Sequence, residues 1–284
     1  MTRAGAVALM VAAPLLWSSA GVVTRHMQRA EPMEQVFWRS LFALGFVAGY
    51  LFFLQKRDPF KAVQDAGLPG LFSGAMWAVM FTAFVIALSL TTTANTLVVM
   101  SVSPLLTVVF ARIALTDPVP LRTWLAALAA MAGIAYMFSS ALEKHSIGML
   151  VAFAVPVAAA LNVVALRKHA AKVDLVPAVM LGGAFSCAIA LAFALPISAS
   201  GRDLLLLALL GVLQLGLPCI FLVMASRALL APELALLGLL EVVLGPIWAW
   251  LGAGEVPAQS TLVGGAVVLA ALAGNELAAL SSRA

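Results

Sequence analysis

Residues 204–226 read LLLLALLGVLQLGLPCIFLVMAS, and no charged residue stands between Asp203 and Arg227. An α-helix crosses the hydrocarbon core of a bilayer in about 20 apolar residues, so this stretch is long enough to span one. Its interior carries one amide, Gln214, and one helix-interrupting residue, Pro218. The rest of the chain repeats the pattern. Hydrophobic residues make up 64% of it and charged residues 10%, with a mean hydropathy of +1.10. Soluble domains carry roughly 45–50% apolar and about 25% charged residues, so the composition excludes a water-soluble fold.

Apolar runs bounded by charge, Pro or Gly predict ten transmembrane helices. The first five are 4–24, 34–54, 67–89, 94–115 and 121–140, and the second five are 147–166, 176–197, 204–226, 233–252 and 260–280. The connectors are too short for a folded soluble domain. The thinnest separation is the polar break Leu90-Thr91-Thr92-Thr93-Ala94-Asn95 between the third and fourth spans. The first run follows Arg3 and ends in Ser18-Ser19-Ala20, features shared with secretory signals. Its length favours a retained helix.

Lys and Arg set the orientation. With the N-terminus inside, Arg3, Lys56, Arg57, Lys61, Arg112, Arg122, Arg167, Lys168, Lys172, Arg227 and Arg283 fall on the cytoplasmic side. Arg25, Arg29, Lys144 and Arg202 fall outside, and Arg39, near the start of the second span, is left unassigned. This excess obeys the positive-inside rule, so both termini are predicted to be cytoplasmic and the protein to be multi-pass in the cell inner membrane. The net charge of +4 is scattered over connectors rather than gathered in a stripe, which argues against a nucleic-acid partner. Cys187 and Cys219 lie in apolar runs and suggest neither a disulfide framework nor a metal site. His26, His145 and His169 read as connector residues.

The two halves echo each other. Ala13-Pro14-Leu15 is matched by Val155-Pro156-Val157, and Arg25 by Arg167, both at an offset of 142. Asp117 with Val119-Pro120 parallels Glu255 with Val256-Pro257, at an offset near 138. Together these predict two five-helix repeats, 1–142 and 143–284. Because five is odd, the second repeat inserts upside down, a design that secondary transporters use around a midplane site.

Leu16-Trp17-Ser18-Ser19-Ala20, Phe37-Trp38-Arg39, Leu239-Leu240-Glu241 and the acid-Val-Pro closures at Asp117 and Glu255 resemble motifs of the drug/metabolite transporter superfamily. More narrowly, they resemble its EamA-type ten-helix exporters. The resemblance covers essentially the whole chain. It implies an exporter of small metabolites and, in the YddG-like branch, of aromatic and other neutral amino acids. One departure stands out: the family often has Pro directly after the helix-nine Glu, where this chain has Val242, with Pro246 later.

Glu241 is the ionisable residue this reading places well inside a span. A charge there costs at least a few kcal/mol, so it is either a carboxylate that titrates or binds a substrate amine, or a protonated group hydrogen-bonded to a neighbouring helix. Asn95, Asn162 and Gln214 are candidate cavity residues because an amide has several hydrogen-bonding sites to satisfy. Ser18, Thr82, Thr96, Ser101 and Ser103 are weaker candidates, since intramembrane hydroxyls commonly bond helix backbone or a neighbouring helix. Pro14, Pro104, Pro156, Pro218 and Pro246 are candidate hinges, each removing a backbone hydrogen bond, with the first and sixth spans both expected to break near the middle. Trp17, Met76, Trp77, Met80, Phe81, Phe84 and Met100 form a possible apolar wall. Trp38, Trp124, Trp248 and Trp250 read as interfacial belt residues, and Gly45-x-x-x-Gly49 and Gly70-x-x-x-Gly74 as close helix contacts.

No phosphate-binding Gly-rich loop, His-Glu-x-x-His or Gly-x-Ser-x-Gly occurs. The expectation is therefore an all-α exporter, not an enzyme, without cofactor or metal, that moves neutral and aromatic amino acids by alternating access. The substrate would sit near the midplane among spans one, three, four, six, eight and nine. The alternatives are export of other metabolites or drugs, or, in a different class, a membrane-embedded enzyme or scaffold.

Overall fold

The computed structural model describes every residue except 25, 116–118, 140–146, 196, 254–257 and 282–284. Arg25, Asp117, Lys144, His145, Glu255, Val256, Pro257 and Arg283 of the sequence reading therefore lie outside the described residues. The described chain is helical. Seven helices are long and apolar enough to cross a membrane, and three shorter apolar helices accompany them. Each of the ten predicted runs falls on one of these segments.

The order is α1 (Arg3–Trp17), α2 (Ala20–Thr24), α3 (Pro32–Gly49), α4 (Pro59–Leu90), α5 (Thr93–Met100), α6 (Ser103–Ala114) and α7 (Leu121–Met137). Then follow α8 (Ile147–His169), α9 (Val176–Leu191), α10 (Gly201–Leu209), α11 (Leu217–Ala225), α12 (Ala231–Gly238), α13 (Leu240–Ala253) and α14 (Gln259–Ser281). π-Helical turns at Tyr50–Leu54 and Leu210–Gly216 extend α3 and join α10 to α11. The predicted start of the third span at 67 coincides with a backbone break: Gly67 has φ of 54°, a conformation that glycine adopts without steric cost. The thin separation at 90–95 is real. Thr91 ends α4 in extended conformation, and the Thr92 hydroxyl accepts from the Asn95 N–H to start α5.

Spans one, four and nine are each broken into two helical pieces, and the breaks do not follow the prolines. Pro14, Pro156 and Pro246 lie inside helices, and α8 runs unbroken through Pro156, against the expectation for the sixth span. Pro104 and Pro218 sit in the first turn of a resumed helix, where a missing N–H costs nothing. At two of the breaks serine takes over the carbonyls. Ser18 Oγ and Ser19 Oγ donate to Leu15 O (3.0 Å) and Leu16 O (2.6 Å), and Ser101 Oγ donates to Val98 O (2.6 Å). A hydroxyl bonded back to its own turn competes with the helical ladder.

Exposed Phe53, Phe60, Leu68, Ile113, Leu150 and Phe193 give the bundle an apolar exterior suited to lipid. Inside, small and hydroxylated residues let helices approach. Gly45 has no atom close to where a Cβ would be, and Gly49 and Gly70 face only their own helices; of the two predicted pairs Gly74 alone meets a neighbouring helix, where a Cβ would come within 2.7 Å of the Leu181 Cβ. The close approaches are instead Gly182 against Trp77, joining α4 to α9, and Gly211, where a Cβ would lie 2.6 Å from the Arg39 carbonyl, joining the second π-turn to α3. Ser40 Oγ donates to Ser186 Oγ (3.0 Å), which also pairs with Thr82 Oγ1 (3.0 Å), so hydroxyls stitch α3, α9 and α4 together.

Polar clamps sort the connectors onto two ends. At one end, Asp203 accepts from the N–H groups of Gln28 (2.8 Å) and Arg29 (3.2 Å), and Glu34 accepts from those of Ser198 and Ala199. At the other, Asp174 accepts from Arg57 and Arg227. Arg3 bonds both Glu233 (2.8 Å) and Glu276 (2.7 Å), so the start of α1 and the last turns of α14 meet. Asp203→Ala strands the N–H groups of residues 28, 29 and 200 and should lower the thermal midpoint in detergent. Asp203→Asn, which keeps one acceptor oxygen, should lose less.

Candidate functional site

The ninth span presents a distinct face. Gly238, Glu241, Gly245 and Trp248 follow one another at three- and four-residue steps, which puts them on one side of the helix. A Cβ at Gly238 or Gly245 would meet no atom within 4 Å, so that side borders open space. Glu241 is ten residues past the start of α12, roughly 15 Å along the helix, yet it is only half-buried. The face looks toward the break in the first span: Trp248 Nε1 donates to Ser18 Oγ (2.9 Å). Trp248, read from sequence as a belt residue, is therefore an internal tie between spans one and nine, whereas Trp250 is exposed.

Opposite lies Arg39. It is 4% exposed, seven residues into α3, and its Nη2 donates to Gln214 Oε1 (2.8 Å), while its Nε is buried without an acceptor. Glu241 is therefore not the sole ionisable group inside a span, since Arg39 is buried within the second. The geometry has local causes. Gly211 has no side chain, so the second π-turn closes on the Arg39 carbonyl, and one turn later Gln214 reaches the guanidinium. π-Turns recur at functional sites. Cys219 is buried in the apolar cluster against which Trp17 packs. Among the described residues neither Arg39 nor Glu241 makes an ion pair.

The predicted site residues divide. Ser18 is tied to Trp248 of the ninth span, which also carries Glu241, Gln214 holds Arg39, and Trp17 packs on the cluster that contains Cys219. Trp77, Phe81 and Asn162 belong to a second region between α4 and α8. There the Trp77 and Phe81 rings lie 5.6 Å apart, and Asn162 Oδ1 accepts from Ser73 Oγ (2.6 Å). The indole N–H of Trp77 and the Asn162 Nδ2 are buried donors without acceptors. Asn95 lies in the first turn of α5, its Nδ2 donating to Thr91 Oγ1 (2.8 Å). Met80 and Met100 are half-buried, Met100 at the break of the fourth span. Among the described residues no group of His, Cys, Asp or Glu is placed to hold a metal.

The sequence did carry a signal for Arg39, a guanidinium in an otherwise apolar run. Its partner, 175 residues away, has no such signal. Gln214→Leu removes the acceptor that Arg39 uses and should cost about 1.5–3 kcal/mol of stability, the worth of a hydrogen bond to a charged group; Gln214→Glu should restore most of it. Unfolding in detergent measures both.

Comparison with known proteins bears on this arrangement. Residues 4–139, from α1 to just past the end of α7, match the profile of the EamA-like transporter family. No curated protein matches the chain. Among solved structures 29 chains match. One of them, described only as the crystal structure of a protein, has a TM-score of 0.82 and 19% identity, with 100% of each chain covered; at that identity it shows a shared fold. Residues 4–139 thus carry the EamA-like transporter family, within the drug/metabolite transporter superfamily, and the chain is a multi-span membrane transporter of small metabolites.

Proposed function

We propose that the chain exports neutral and aromatic amino acids across the cell inner membrane by alternating access between two inverted five-helix repeats. The observation that carries this reading is the matched break in spans four and nine. The half-helices Thr93–Met100 and Ala231–Gly238 stand at an offset of 138 at both ends, the offset seen in sequence between Asp117 and Glu255. The start of α8 also packs on the junction of α4 and α5, Gly148 against Leu90 and Thr91, as the start of α1 meets that of α12 through Arg3 and Glu233. Paired discontinuous helices in two related halves are a transporter's means of building a site near the midplane. The apolar and aromatic neighbourhood of Trp17 and Trp248, with Gln214 and Glu241 beside it, suits an amino acid with an uncharged side chain.

The orientation follows from charge. The end holding Arg3, Arg57, Asp174, Arg227 and Glu233 carries most of the Lys and Arg, so it faces the cytoplasm together with both termini. The end clamped by Glu34 and Asp203 faces outward. In a background without Cys187 and Cys219, a cysteine at Ser198 should react with an impermeant thiol reagent applied outside intact cells, and one at Lys172 only after permeabilisation. The reverse pattern overturns the orientation.

Purified protein in liposomes should give saturable flux of labelled phenylalanine and of smaller neutral amino acids, and no flux of any solute would overturn the transport reading. Glu241→Gln should reduce that flux at least tenfold and flatten its pH dependence. Unchanged rates and an unchanged pH profile would assign Glu241 to packing.

A further inference from the structure

The segment between spans two and three is bracketed by two backbone turns. Among the described residues Lys56 (φ 53°) and Gly67 (φ 54°) alone adopt positive φ, the first against the steric cost of a Cβ. Between them Asp58 caps a short helix by accepting the Lys61 N–H (2.9 Å). That helix is surplus to the span it leads into. Pro59–Leu90 is 32 residues long and rises about 48 Å, against a hydrocarbon core of about 30 Å. The stretch after Gly67 alone rises about 35 Å. Residues 59–66 are therefore left at the membrane surface, where the break at Gly67 turns them off the axis of the span.

The two sides of this helix differ. Ala62 and Ala66, one turn apart, are each 1% exposed and belong to the main core cluster, so that side is fixed on the protein. Phe60, Lys61 and Gln64 are exposed. Phe60 is 79% exposed, and Phe53, Leu54 and Leu68 on either side of it are exposed to a similar degree. The charges beside this apolar rim are unequally engaged. Asp65 accepts from Arg57 (3.1 Å), which also pairs with Asp174 (3.3 Å), and Asp58 is occupied by the cap. Lys56 and Lys61 are exposed and enter no ion pair among the described residues. Two free ammonium groups on an apolar rim complement a negative head group carried on acyl chains, and interfacial helices that bind lipid join the same two elements.

We propose that residues 53–68 form a docking site for anionic phospholipid, with Lys56 and Lys61 on the head groups and Phe53, Leu54, Phe60 and Leu68 among the acyl chains. The long lysine stems let the ammonium groups reach the head-group layer while their apolar neighbours stay in the chains. Near an anionic surface each lysine strengthens attraction about fivefold, so two give a clear preference over zwitterionic lipid. No residue of this surface belongs to the candidate substrate site, so lipid docks here whichever solute is carried.

The test uses the full chain in phosphatidylcholine vesicles, in the background without Cys187 and Cys219, with Gln64→Cys carrying a fluorophore. Nitroxide-labelled phosphatidylglycerol at low mole fraction should quench it about twofold or more above nitroxide-labelled phosphatidylcholine at the same fraction. Leu150→Cys, exposed at the opposite end of the bundle, should be quenched alike by both lipids. Lys56→Gln combined with Lys61→Gln should bring the two lipids level at position 64, and Lys56→Arg with Lys61→Arg should keep the preference. Equal quenching at position 64 with both lysines intact overturns the head-group site. Quenching by neither lipid there shows that protein, such as a second copy, covers the face, and overturns it as well. Because the decisive comparison keeps both lysines, a lysine variant that fails to fold leaves the test intact.

Discussion

A guanidinium buried among apolar helices must find its acceptors inside the protein, because the hydrocarbon around the bundle offers none. Arg39 has one such acceptor, Gln214, and much of the bundle's core is arranged so that this contact forms. The π-turn at Leu210–Gly216 rotates the amide toward α3, Gly211 removes the side chain that would hold the two helices apart, and α9 locks α3 against α4 through the Ser40, Ser186 and Thr82 hydroxyls. The same constraint explains the clamps at the ends. Glu34 and Asp203 are buried carboxylates that meet backbone N–H groups of each other's connectors, which closes two irregular segments without exposing their polar groups to lipid.

The broken spans follow a related logic. A transmembrane helix that ends in mid-membrane exposes carbonyls and N–H groups, and these need local partners. Serine supplies them at Ser18, Ser19 and Ser101, bonding the turn that precedes it. Two of the three breaks therefore coincide with hydroxyls, and the third, at Leu239, has neither hydroxyl nor proline beside it. Proline inside a long helix removes one hydrogen bond and leaves the rest of the ladder, which is why α8 continues through Pro156. The result is a first span interrupted beside the ninth, with Trp248 tied to Ser18 across the gap.

Two regions of unsatisfied polarity coexist in the core. One is Arg39, whose Nε is buried without an acceptor. The other is the pair of donors on Trp77 and Asn162, packed between α4, α8 and α9. The second lies among tightly apposed small residues, with Gly182 against Trp77, and this supports a role in holding helices rather than in receiving a guest. Asn95, selected on the same argument as Asn162 and Gln214, bonds Thr91 at the junction of α4 and α5. Amide chemistry alone does not distinguish these three fates.

What the amino-acid sequence determined by itself is the material of the fold: ten apolar segments, the boundary at Gly67, the break at 90–95 and the segregation of Lys and Arg. Each is a local property, read from a window about as long as one helix, because hydrophobic length is set residue by residue. The tertiary structure alone decided which polar groups meet. Arg39 with Gln214, Ser18 with Trp248, Arg3 with Glu233 and Asp203 with Gln28 are separated by 175 to 230 residues. Hydropathy carries no information on which side of a helix a neighbour will approach. Those pairings follow from helix rotation and close backbone approach, quantities that exist only once the bundle is assembled.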